Sequence, residues 1–146
     1  MAITVKWYGS GMLNCLQNNI DLEADTIKMS LHTATYTPNR DTNDFHNDAT
    51  NELSAANGYT AGGETLASKV LSYDATSDEV RLDCADIVFL FTASQTFRYG
   101  VIYKDRGGAN TADELIALVD FGADQTVSTT YTLVVDATGL LYVDTT

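Results

Sequence analysis

At 146 residues, with 45% hydrophobic and 10% aromatic side chains, the chain has the size and apolar content of one self-sufficient domain, and general disorder, which requires few aromatic and β-branched residues, is excluded. Its 20 Asp and Glu against 8 Lys and Arg leave a formal charge of −12. That is the wrong sign for a protein that gains affinity by displacing counterions from phosphate backbones, so direct nucleic-acid binding is not expected.

The N-terminal "MAITVKWYGSG" has no basic region followed by a long apolar run, so no secretory signal is read there, and a soluble product of a cytoplasm is expected. "SGMLNCLQNN" sets Met12, Cys15 and Leu16 at helical spacing behind Ser10 as a cap, which predicts one or two helical turns. "TIKMSLHT" alternates, with Ile27, Met29 and Leu31 facing inward and Lys28, Ser30 and His32 facing solvent, the period of two of a pleated strand. From Thr35 to Gly63 the chain is polar and irregular and holds Pro38, its only proline, with "NDATNELSA" read as a short turn of helix. An irregular stretch this long inside a compact domain is usually functional, so it is the segment expected to touch a partner.

"SYDATSDEVRLD" reads as a hairpin, a strand end and polar turn leading to Val80 and Leu82 on one face. "DIVFLF" and "LIALVDF" are near-continuous apolar runs suited to strands buried on both sides, and the longest, Ile87 to Phe91, is far short of the ~20 residues of a membrane helix. "FRYGVIY" places Phe97, Tyr99, Val101 and Tyr103 on one face and Arg98, Gly100 and Ile102 on the other. Thr111 and Glu114 fit a helix-capping pattern, which the β-branched and aromatic residues that follow argue against. "TVSTTYTLVVD" continues as a strand with Val127, Thr129, Tyr131, Leu133 and Val135 on one face, and "ATG" then "LLYV" suggest that it closes a C-terminal hairpin. The whole predicts a mainly β, single-domain antiparallel sandwich or barrel, jelly-roll-like, with one or two short helices and a long polar loop.

No catalytic constellation is legible. "NGYTAGG" opens like a phosphate loop, but Gly62 and Gly63 are followed by Glu64 and strand-like residues instead of Lys and a helix, so the glycines are read as a chain reversal. Asp41, Asn43, Asp44, Asp48 and Glu52 offer oxygen ligands, with Asp41, Asn43 and Glu52 at positions 1, 3 and 12 of a calcium loop. The glycine such a loop needs at position 6 is His46, so a solvated acidic loop is the expectation, with no metal and no cofactor. His32 is expected to be exposed, and His46, inside the loop, to be open to a contact. Asp83 with Asp86, and Asp78 with Glu79, sit at turns where solvent exposure is expected instead of acid–base work. Cys15 and Cys84 read as small buried thiols, while their spacing leaves a disulfide between them open.

The stretch from "WYGSGMLNCLQNN" through "GYTAGG", "RYGVIYKD" and "LIALVDFG" resembles a family of small structural proteins encoded among the head and tail genes of tailed bacteriophages and prophages. The resemblance spans nearly the whole chain and implies a non-enzymatic virion component, a decoration or cement protein on the outside of the head that clamps capsomer junctions. Its implied partners are the major capsid protein and copies of itself, often as trimers, and it assigns no functional residues. The alternatives are a tail component, such as a tube, collar or fibre domain, and a carbohydrate-binding module. The expected contact residues are Trp7, with the N-terminal "MAITVKWY", and Pro38, Phe45, His46 and Tyr59 of the long loop.

Overall fold

The computed structural model describes residues 2–145. Its strands are β1 (Thr4–Trp7), β2 (Ile27–His32), β3 (Glu64–Thr65), β4 (Val70–Asp74), β5 (Glu79–Asp83), β6 (Ile87–Leu90), β7 (Gln95–Lys104), β8 (Leu115–Val127), β9 (Thr130–Leu133) and β10 (Leu141–Asp144), and helix α1 spans Gly9–Leu16. Short 3-10 turns occupy His46–Asp48 and Asn110–Ala112. The strands form antiparallel sheets ordered β1-β8-β7-β2-β3, β10-β5-β4 and β6-β9. The architecture is a β-sandwich, not a closed barrel.

One layer is the five-stranded sheet, and the two smaller sheets make up the layer opposite. Between them lies the main core, in which Ile27, Met29 and Leu31 of β2, Ile102 of β7 and Ala117, Val119 and Phe121 of β8 meet Leu82, Leu141, Ile87, Phe89 and Leu133. Cross-strand partners share a face, so the pairings Met29↔Ile102, Ile102↔Ala117 and Ala117↔Trp7 carry one apolar row across four strands.

The other face of the large sheet is covered too. Residues 33–63 fold over it, and Tyr8, Tyr36, Ala49, Val101, Tyr103 and Leu115 form a second core there. This corrects the sequence expectation that Ser30 and His32 face solvent, since both are fully buried. It also explains why β7 and the first half of β8 are apolar on both faces: they are the middle strands of a sheet packed on both sides.

Four other expectations are revised. A register shift between Phe97 and Tyr99 sends Phe97 into the main core while Val101 and Tyr103 enter the second one, so the four residues do not share a face. "TVSTTYTLVVD" is not one strand, because the chain leaves β8 at Val127, turns through Ser128 and Thr129, and pairs β9 with β6. The C-terminal segment makes no hairpin with β9 but adds β10 to the edge of β5. The β6–β9 pair is thus the end of the β7–β8 ribbon folded back over itself. Phe91, Phe97, Phe121 and Tyr131 fill that corner with ring centroids 5.0–6.2 Å apart. Because β6 lies in an outer layer, Val88 and Leu90 are exposed, whereas its apolar run suggested burial on both sides.

The predicted helix and the β4–β5 hairpin are both present. Ser10, however, lies inside the first turn of α1, whose cap position is Tyr8, and its hydroxyl reaches back toward the Asn43 carbonyl at 3.4 Å. Gly11 is there because the helix lies directly on β8: a Cβ at that position would sit 2.6 Å from the Leu115 carbonyl oxygen.

"TAGG" is a corner, as the sequence indicated. Gly63 has φ +76°, and a Cβ on it would lie 1.8 Å from the Met29 carbonyl oxygen, so only glycine lets the chain turn against β2. Gly63→Ala is expected to lower stability by at least ~2 kcal/mol, read from the urea midpoint. Gly107→Ala tests the cause, having nearly the same φ (+77°) but nothing within 4 Å of the added carbon; it should cost only about 1 kcal/mol. Equal losses at the two positions would remove the close approach to β2 as the reason for Gly63.

Candidate functional site

Beneath the long loop lies a buried polar cluster that periodicity alone concealed. Ser30 and His32 share one face of β2, two residues apart, and the 3-10 turn brings His46 over them. The Ser30 hydroxyl is 2.9 Å from Nε2 of both His32 and His46. His32 Nδ1 lies 2.8 Å from the Thr50 carbonyl, which can only accept, so that nitrogen carries the proton. Nε2 of His32 then accepts from the Ser30 hydroxyl, whose oxygen accepts in turn from His46 Nε2–H. His46 stacks on Tyr103 with centroids 3.9 Å apart.

Two further chains of hydrogen bonds hold the loop. Tyr8 and Tyr36 meet through their hydroxyls at 2.8 Å, and Tyr36 donates onward to Asn43. Tyr59 donates to Glu52 at 2.7 Å while accepting from the Leu31 amide, and Glu52 also accepts from the Gly62 amide. Tyr103 donates to the Gly62 carbonyl at 2.7 Å. Among the described residues no buried side-chain nitrogen or oxygen lacks a partner.

A serine flanked by histidines has the composition of a nucleophile and its base, but here the Ser30 hydroxyl, both His32 nitrogens and His46 Nε2 are spent on neighbours, and Ser30 and His32 are 0% exposed. What the cluster does chemically is fix the loop to the sheet. Burial pushes the His32 imidazole down to about 4 and His46 in the same direction, so both stay neutral at pH 7. Burial likewise pushes the Tyr8, Tyr59 and Tyr103 hydroxyls up, out of the range where they ionise in water.

The acidic loop residues do not converge on a point. Asp48 accepts from the amides of Asp44 and Phe45, and Glu52 is occupied with Tyr59 and Gly62. No group of three His, Cys, Asp or Glu among the described residues could hold a metal ion. Both cysteines are free, and burial raises each thiol to about 11.

The surface offers something different. Trp7, Met12, Cys15, Leu16, Leu22, Leu71, Val80 and Val143 line an apolar cleft of about 230 Å³ between α1 and the β10-β5-β4 sheet. That sheet is two-faced. Leu71, Tyr73, Val80, Leu82, Leu141 and Val143 share one side, while Asp74, Glu79 and Arg81 share the other in a salt-bridge network. The Leu82–Leu141 end of the apolar side is covered by the main core; the other end opens into the cleft, beside Leu16 (79% exposed) and Tyr73 (58%).

Of the residues expected to make contacts, Trp7 is half-buried in the cleft wall, its indole N–H on the Tyr142 carbonyl at 3.0 Å. Met1 of the same segment lies outside the described residues. Pro38 is half-buried, Phe45 is exposed, and His46 and Tyr59 are interior. The structure thus separates them: Trp7 belongs to the cleft, and His46 and Tyr59 to the polar cluster. The exposed aromatics do not form a common platform, since Tyr73 and Tyr142 lie on opposite sides of their sheet. The cleft escaped the sequence because it joins α1 to strands some sixty and more than a hundred residues away. Comparison with protein-family models, curated proteins and solved structures returned no match.

The histidine cluster makes a sign-definite prediction. Unfolded histidine titrates near 6.5, and the folded His32 near 4, so between those values the unfolded chain binds more protons. The stabilisation is full above about pH 6.5 and is lost as pH falls toward about 4, by on the order of 2–3 kcal/mol. Urea unfolding at several pH values reads it directly. His32→Gln should be less stable at pH 7 yet show a flatter dependence across that window; an unchanged slope would mean that His32 is not the group being titrated.

Proposed function

We propose that this chain is a non-enzymatic structural protein of a tailed-bacteriophage virion, a decoration or cement protein that binds the outer surface of the head. The observation that carries a binding role is the open apolar cleft together with the exposed Leu16 and Tyr73 beside it. Apolar side chains gathered on the surface of an otherwise strongly charged chain gain free energy only when something covers them. The virion setting comes from the sequence resemblance, and the β-sandwich and the acidic charge agree with it. On this reading Trp7 and Leu16 anchor the contact with the major capsid protein.

Microscopy of the particle that carries the chain tests the assignment, and the cleft should face the capsomers in density at their junctions. Density confined to the tail would overturn the head assignment in favour of a tail component. In a co-sedimentation assay with expanded heads, Leu16→Asp should weaken binding at least ~tenfold, the loss typical of an interface anchor. Its circular dichroism and urea midpoint should stay unchanged, because the Leu16 side chain is already in water.

A further inference from the structure

Five stretches of eleven residues or more carry no Asp, Glu, Lys or Arg, among them residues 7–20 and 29–39, and the other three meet in one region of this molecule. Residues 53–63, 87–97 and 125–135 contain no Asp, Glu, Lys or Arg, although 19% of the chain is charged, and each stretch is closed at both ends by a charged residue: Glu52 and Glu64, Asp86 and Arg98, Asp124 and Asp136. The fold brings the three together. β6 pairs with β9 through Ile87↔Leu133 to Leu90↔Thr130, and the adjoining ends of β7 and β8 pair through Gln95↔Val127 and Thr96↔Thr126. The third stretch packs on β6, with Asn57 accepting from the Thr92 amide and Ala56 from the Gln95 side chain.

Within this region β9 is an open sheet edge. Its only partner strand among the described residues is β6. The bond from the Phe91 amide to the Thr129 carbonyl fixes the phase of the ladder. The odd-numbered residues of β9 therefore bond to β6, and Thr130, Thr132 and Val134 point their N–H and C=O groups away from it. The Val135 amide, which reaches Asp86 on the β6 side, obeys the same alternation. All three even-numbered side chains are exposed. The strand is short, but it has none of the chemical protections of an edge: no lysine, no proline and no inward charge. By contrast, β1 carries Lys6, β3 Glu64, β4 Asp74 and β10 Asp144, and the outer edge of β6 is partly covered by residues 56–58.

We propose that β9 is a self-association edge, at which two copies of this chain pair β9 with β9 antiparallel about a two-fold axis at Thr132. That register sets Thr132 opposite Thr132 as a hydrogen-bonded pair, Thr130 opposite Val134 and Tyr131 opposite Leu133, so every facing pair of the strand is uncharged and the pairs on the exposed face are β-branched. Charge selects the occupant: at −12, two copies repel wherever carboxylates would meet, and β9 brings no charge of either sign to the contact. The contact is isologous and closes at two chains, because each open edge is consumed by the other. This inference does not depend on the virion reading.

Sedimentation equilibrium of the full chain tests it. The wild-type protein should dimerise, and Thr132→Lys, which places two ammonium groups face to face, should raise the dissociation constant roughly a hundredfold or more. The urea midpoint of the variant monomer should stay unchanged, since Thr132 is exposed. Thr132→Cys supplies a second readout: the Cα separation of ~5.5 Å expected for a hydrogen-bonded antiparallel pair lies within disulfide range, so the variant should form a reducible covalent dimer. Thr76→Cys, in the exposed β4–β5 turn, should not. A wild-type protein that is monomeric at every concentration overturns the proposal, as does a dimer that survives Thr132→Lys or fails to cross-link through residue 132. Protection of the Thr130 and Thr132 amides from hydrogen exchange only when another protein is present would give the edge to that protein and overturn self-pairing.

Discussion

The structure depends on covering both faces of the five-stranded sheet. β7 and the first half of β8 are apolar on both sides, and no arrangement with one wet face would leave them stable. One side is covered by strands, as in any sandwich. The other has no strands left to cover it, and residues 33–63 do the work without regular secondary structure beyond one 3-10 turn. A loop buried in this way must pair its own backbone and polar side chains, because water no longer serves them. The hydrogen bonds among Ser30, His32, His46 and Thr50, and those of Glu52 with Tyr59 and Gly62, meet that demand. They are the condition under which an irregular segment can replace a layer.

This explains why chemistry-bearing side chains are interior. Histidine, serine and tyrosine suit such a layer because each carries a polar tip on a body that packs well: His46 lies flat on Tyr103 while its Nε2 reaches Ser30. Neutral imidazoles serve because one nitrogen donates and the other accepts, which lets a single serine link two of them. The same arrangement ties the loop to proton activity, since a proton added to His32 removes the acceptor that the Ser30 hydroxyl uses.

The strands with strong alternation were legible in the sequence. β2, the β4–β5 hairpin and β8 follow from a period of two or from apolar runs, and the glycine corner follows from the residues flanking Gly62 and Gly63. The environment of β2's second face was not legible from β2 itself, because Lys28, Ser30 and His32 read as solvent-facing in any window of that length. The signal lay in its neighbour: Tyr99, Val101 and Tyr103 of β7 stand opposite those polar residues in the register. An apolar row beside a polar row on one face means that the face is covered and the polar row is paired. The cleft and the folded ribbon stayed hidden for another reason. Both depend on which distant strands become neighbours, and the bend at Ser128 and Thr129 leaves the apolar pattern continuous through it.

The same bend accounts for the molecule's uneven surface. Had the β7–β8 ribbon run on straight, its end would have extended the large sheet with the neighbours that sheet supplies. Folded back at 91–94 and 128–129, it becomes a separate two-stranded sheet whose inner face is taken up by Phe89, Tyr131 and Leu133 and whose β9 edge meets no further strand. Charge on that edge would have protected it, and acidic residues are plentiful elsewhere in the chain. The neutrality of β9 and of the two segments packed beside it leaves this edge open to a second copy of a chain whose net charge is −12.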